Sequence, residues 1–161
     1  MGGKLEIFIL TLLPLLALVS CSKEKEEKEK KEKEEEENTS IIGKWELTSQ
    51  HADVVTSDEI LTGIIRANYD KNSGMVLTFK EDGRVTVERL SDAAYENLYS
   101  IEGDKLTFTA PATNESYTYK YSISNNILTL NDDRTEVFQD TFKEYDVVIR
   151  RVIVIQKYAR K

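Results

Sequence analysis

The chain has 161 residues, of which 22 are basic and 29 acidic, with one cysteine and one histidine. A net charge of −7 lacks the basic excess that nucleic-acid backbones demand, so no nucleic-acid partner is expected. The solitary cysteine excludes an intrachain disulfide framework and a cysteine-built zinc cluster, and the solitary histidine excludes a histidine-rich site; no metal and no cofactor is expected.

The chain opens MGGKLEIFILTLLPLLALVSC, in which Lys4 precedes an apolar run from Ile7 to Val19 broken only by Thr11 and Pro14. Thirteen residues at about 1.5 Å each fall short of the ~30 Å hydrocarbon core, so the run reads as a signal-peptide core rather than a span. Leu18-Val19-Ser20-Cys21 resembles the lipobox of bacterial lipoproteins. That resemblance implies a signal peptide over 1–20, cleavage before Cys21, a diacylglycerol thioether on its sulfur and a fatty acid, such as palmitate, on the new amine. Cysteine is the nucleophile a thioether needs, and two or more acyl chains hold a membrane where one binds marginally. Ser22 stands where an Asp would retain such proteins in the inner membrane, which implies the outer membrane. The acidic run that follows is similar to a cell-surface export signal, so periplasm-facing and surface-exposed orientations both stay open.

Residues 21–38 read as a lipidated tether. Lys23 to Glu37 holds only Lys and Glu, six and nine respectively, for a net −3. Such a segment has nothing to bury and stays solvated. Glu24/Lys28, Glu26/Lys30, Glu27/Lys31 and Glu29/Lys33 favour a helix at i, i+4, whereas Glu34 to Glu37 repel one another. A fraying helix and an extended coil both serve as a spacer of roughly 20–50 Å.

Residues 39–161 form the folded part, and their period is two. Strands are expected at Gly43 to Thr48, Met75 to Lys80, Arg84 to Glu88, Asn97 to Ile101, Lys105 to Thr109, Tyr117 to Ile123, Ile127 to Leu130 and within Val147 to Tyr158. An extension of the last is expected around Glu136 to Phe142. Asp82-Gly83 and Gly103 supply the positive φ of tight hairpins. Thr56-Ser57-Asp58-Glu59 has the form of a capping box before Ile60, Leu61, Ile64 and Ile65, which predicts one short helix, with Asn68 to Gly74 as loop. Eight sequential strands joined by short turns predict an all-β, antiparallel, up-and-down barrel.

Gly43-Lys44-Trp45 at the start of this pattern, the Leu77 to Gly83 hairpin and the helix after the first strand together resemble lipocalin-like (calycin) domains over Ile41 to Tyr158. The resemblance implies a Trp45 plug at the closed end with a stacked cation from the last strand. Lys157 is the candidate, with Arg160 and Arg151 behind it; a solvated Lys157 is the plain alternative. It also implies a small, partly apolar ligand.

Alternation places Trp45, Leu77, Phe79, Tyr99, Phe108, Tyr117, Tyr119 and Tyr121 inside as candidate ligand-lining residues, alongside Leu47, Met75, Val85, Val87, Ile101, Leu106, Ile123, Leu128 and Leu130. Tyr117, Tyr119 and Tyr121 admit three arrangements: a pocket wall, core packing, or an outward contact strip. No phosphate loop, no Gly-x-Ser-x-Gly and no paired ligating histidines occur, so no catalytic residue is assigned. His51 near Asp53 offers a proton-transfer pair or a solvated surface residue. Glu81-Asp82 and Asn131-Asp132-Asp133 offer loose calcium ligands or ordinary turn chemistry. Two functions follow: a barrel that binds a small, partly apolar ligand, or a filled barrel that docks on a cell-envelope protein.

Overall fold

Each strand pairs antiparallel with its neighbour in sequence, and the last pairs back onto the first, closing the eight-stranded up-and-down barrel that the alternation predicts. The computed structural model describes residues 40–70, 74–90 and 92–161. The leader, Cys21 and the Lys/Glu segment lie outside the described residues. In chain order the elements are β1 (Gly43–Thr56), α1 (Glu59–Tyr69), β2 (Val76–Phe79), β3 (Arg84–Arg89), β4 (Asp92–Glu102), β5 (Lys105–Thr109), β6 (Ser116–Ser124), β7 (Ile127–Asp133), α2 (Thr135–Thr141) and β8 (Ile149–Arg160).

The two longest strands, β1 and β8, form the seam. Leu47 pairs with Tyr158 and Ser49 with Lys157, so Thr48 is an extra residue in β1. A one-residue bulge reverses which side chains face in. Below it Trp45 and Leu47 are buried; above it the inward set is Gln50, Ala52 and Val54. The first strand therefore runs eight residues beyond the expected Thr48.

Tight turns close one end of the barrel. Gly83 and Gly103 have φ of 80° and 59°, and Asn125 and Asn126 have 52° and 59°; these left-handed conformations suit Gly and Asn. Trp45, Phe79, Val85, Leu106, Leu128, Leu130 and Tyr158 pack above them as the main core. Trp45 is fully buried, and its indole N–H donates to the Ile41 carbonyl at 2.8 Å. The cation over its ring is Arg160, whose guanidinium carbon lies 4.4 Å from the ring centroid. Arg160 also donates to the carbonyls of Ile42, at 3.1 Å, and Ser40. Lys157 is not the stacking residue. Gln156 and Tyr158 face inward, so Lys157 between them faces out, whereas Arg160 lies directly across from Trp45 in the register. Arg151 is also on the outer surface, paired with Asp53 at 3.0 Å.

At the other end the connections are longer. α1 begins at Asp58, whose carboxylate accepts from the Leu61 N–H at 2.9 Å. The expected cap at Thr56 shifts by two residues because the Thr56 hydroxyl is engaged with the Asp58 backbone and the Thr62 hydroxyl. The helix also runs through Asn68 to Tyr69. The expected strand extension over Glu136 to Phe142 is instead mostly the helix α2. Asp133 accepts from the Thr135 N–H at 2.9 Å and starts the turn, and Phe138 stacks on Phe142 one turn later at 6.3 Å. Both helices pack on the upper seam, where Ala52, Val54, Ile65, Ile149 and Val152 form a second core.

Asn38–Lys161 is one compact unit. Its closed sheet leaves no edge that needs another segment and its cores come from its own residues, which is what independent folding requires. Purified 38–161 is expected to give a β-dominated circular dichroism spectrum and cooperative urea unfolding followed by Trp45 fluorescence. Arg160→Ala is expected to cost about 1–3 kcal/mol and Lys157→Ala less than about 0.5 kcal/mol; equal losses would contradict the stacking role.

Candidate ligand cavity

The inner face changes character on the way up from the Trp45 end. Phe79 meets Tyr99 edge-on at 5.1 Å and Phe108 at 5.8 Å, and Phe108 meets Tyr119 at 5.3 Å, so large rings fill the lower barrel. Above them the inward positions carry Gln50, Asn97, Ala110, Asp132 and Gln156, which leave a cavity of about 560 Å³ open to solvent. That volume lies in the range of small-molecule sites. Its apolar base consists of the buried Leu77, Val87, Phe108, Val154 and Tyr158, while Tyr69, Arg89, Tyr95, Tyr117, Tyr119 and Arg134 line its remainder.

One wall is a fixed polar chain. The Gln50 amide donates to the Tyr69 carbonyl at 2.8 Å, and the Gln156 amide donates to the Gln50 carbonyl oxygen at 2.7 Å. The Tyr158 hydroxyl is 3.3 Å from both Gln156 Oε1 and Met75 Sδ. This chain ties β8, β1, the end of α1 and the entry to β2 together, and it occupies the amide groups of both glutamines. The opposite wall carries the charges. Arg134 donates through Nε to Asp132 at 2.6 Å, a partly buried pair. Burial works against the Arg134 charge, but the hydrogen bond and charge of Asp132 outweigh it and raise its pKa. Arg89 lies 3.8 Å from Asp92 and 6.0 Å from the Tyr95 ring. Burial, with Asp132 nearby, pushes the Tyr119 phenol up to about 12, and burial also pushes Tyr158 up.

Of the candidate lining residues, Leu77, Phe108, Tyr117 and Tyr119 do line the cavity. Trp45, Phe79, Tyr99 and Tyr121 do not; they face in but lie lower, packed into or against the main core. Alternation separates inside from outside but carries no information on depth along a tilted strand. The tyrosine row accordingly splits: Tyr121 packs against the core, Tyr119 is part of both, and Tyr117 stands at the mouth with 48% of its surface exposed. The lining residues missed from sequence include Arg89, Tyr95, Asp132, Arg134, Gln50 and Gln156. Arg89 and Asp132 continue the inward parity of Val87 and Leu130, a signal hidden when only apolar residues are counted as inward, whereas Arg134 lies just past β7 at the start of α2.

The remaining candidates have other roles. His51 is exposed within β1, and Asp53 is held by Arg151. Asp82 accepts from the Arg84 N–H at 3.1 Å, Asp133 starts α2 and Asp132 holds Arg134.

Residues 41–143 match the family model of the lipocalin-like domain. No curated protein matches the chain. Among solved structures, a mutant of the fluorescent protein UnaG is similar over 74% of this chain and 95% of its own, at 14% identity and a TM-score of 0.40.

The raised phenols set a stability window. Below an unfolded pKa of about 10 the folded and unfolded chains hold the same phenolic protons. Above it the unfolded chain releases protons that folded Tyr119 keeps until about 12, so stability falls by up to about 1.4 kcal/mol per pH unit for this residue. Urea midpoints between pH 9 and 11.5 are expected to drop less steeply in Tyr119→Phe than in the wild-type chain.

Proposed function

The chain belongs to the lipocalin-like domain family, and we propose that it is an outer-membrane-anchored binding protein whose barrel holds a small, partly apolar ligand. The family is generally one of binding proteins rather than enzymes. The observation that carries the reading is the cavity itself: about 560 Å³, with an apolar base and a polar, aromatic mouth. A fully filled barrel, which the docking alternative requires, does not fit that space. Docking draws its support instead from exposed apolar residues on the helices, chiefly Ile60 and Ile64 of α1 and Val137 of α2.

The anchor is the second part of the proposal. Support for it is the Leu18-Val19-Ser20-Cys21 sequence after an apolar run too short to span a bilayer. Ser22 favours the outer membrane, and the Lys/Glu segment serves as the spacer.

Two measurements check these claims. Native mass spectrometry of 38–161 purified from its own host is expected to show a bound small molecule; repeated recovery of empty protein would move the weight to docking. Metabolic fatty-acid labelling is expected to mark the wild-type chain and to be lost, with the leader retained, in Cys21→Ala. Unchanged labelling of that variant would end the lipoprotein reading.

A further inference from the structure

We propose that the cavity selects an amphipathic anion, a carboxylate or sulfonate on an apolar body, with the oxyanion taken by Arg89 and Arg134. The proposal rests on the ligand-binding reading and names the ligand's class.

The first argument is charge. Residues 38–161 carry a net −4. The charged residues lining the cavity are two arginines and one aspartate, a local net of +1. Asp92, 3.8 Å from Arg89, lies outside that lining, so each arginine has one carboxylate beside it and both cations reach a concave, partly dry space where charge acts more strongly than on the open surface.

The second argument is the balance of donors and acceptors. Asp132 is engaged by Arg134 through Nε, which fixes the guanidinium plane. Arg134 lines the cavity and its bond to Asp132 runs through Nε, so the two Nη groups, the fork that recognises oxyanions in bidentate fashion, are not used by that bond. Arg89 has an ion pair with Asp92 at 3.8 Å and lies 6.0 Å from the Tyr95 ring, and its side chain is 44% exposed. The glutamine amides are committed to each other and to Tyr69. Tyr95, Tyr117 and Tyr119 line the same cavity, each with a hydroxyl that both donates and accepts. The guanidinium groups of Arg89 and Arg134 can only donate, and donors call for an acceptor-rich group on the ligand. The apolar base of Leu77, Val87 and Phe108 calls for an apolar body attached to it.

A matched pair of probes tests the idea on 38–161. Anilinonaphthalene sulfonate and N-phenylnaphthylamine share one aromatic body, and only the first carries an anion. Fluorescence titration is expected to show both binding, with the sulfonate tighter by about tenfold or more. Arg89→Gln is expected to remove most of that preference. Asp132→Asn, which deletes the one negative lining charge, is expected to tighten the sulfonate severalfold. The reading for each variant is the ratio of the two affinities, in which any change in how the shared aromatic body fits cancels. Circular dichroism of each variant confirms the fold. Equal binding of the two probes, or a sulfonate preference that neither variant alters, would overturn the anion inference while leaving the cavity reading standing. Failure of both probes to bind would overturn the two together.

Discussion

The pairing of β1 with β8 is the constraint on which the rest of the molecule depends. It converts a meander with two open edges into a closed wall, and closure alone removes the edge problem of a small sheet. The same seam brings Arg160 across from Trp45 and so seals the lower end. Higher up, its two strands outlast their neighbours and give α1 and α2 a surface to pack on. The cavity exists because of this arrangement. Helices that pack on the seam leave the other side of the mouth uncovered, where Tyr95 and Tyr117 stand 41% and 48% exposed.

The two ends of the barrel are filled by different means. Below, phenyl, indole and branched aliphatic groups interlock, and burial of this kind contributes about 1.5–3 kcal/mol per large side chain. Above, amides, carboxylate and guanidinium groups take the inward positions, and these are kept solvated or paired because leaving them buried alone is costly. The Gln50–Gln156–Tyr158 chain shows the compromise: it stiffens one wall with hydrogen bonds while adding little bulk. A site composed this way trades packing for shape and donors, as binding cavities commonly do.

The fold was largely legible because one rule, apolar residues at every second position, recurs in strand after strand and is punctuated by Asp82-Gly83, Gly103 and Asn125-Asn126. The misses have a shared physical origin in features that break the rule locally. Thr48 adds one residue to β1, so the alternation breaks where the strand continues. Glu136 to Phe142 carries Phe138 and Phe142 four apart, a helical spacing that the neighbouring strand pattern masked. Sequence alone favours Lys157 over Arg160 because the depth of the final strand depends on register, which no single strand reveals. The cavity was legible only in part for the same reason. Leu77 and Phe79 have the same parity and similar chemistry, yet only Leu77 lies high enough to meet the open space.

The bulge at Thr48 has a consequence for how this strand tolerates change in length. Side chains above and below it face the interior with opposite parity, so the strand has two reading frames joined at one residue. Deleting Thr48 or Ser49 would merge them into one frame and leave Gln50, Ala52 and Val54 facing in. Deleting His51 while the bulge stays would instead turn Asp53 toward the second core and send Ala52 and Val54 out. Above Gln50 this strand must keep its length, whereas at Thr48 it has one residue to spare.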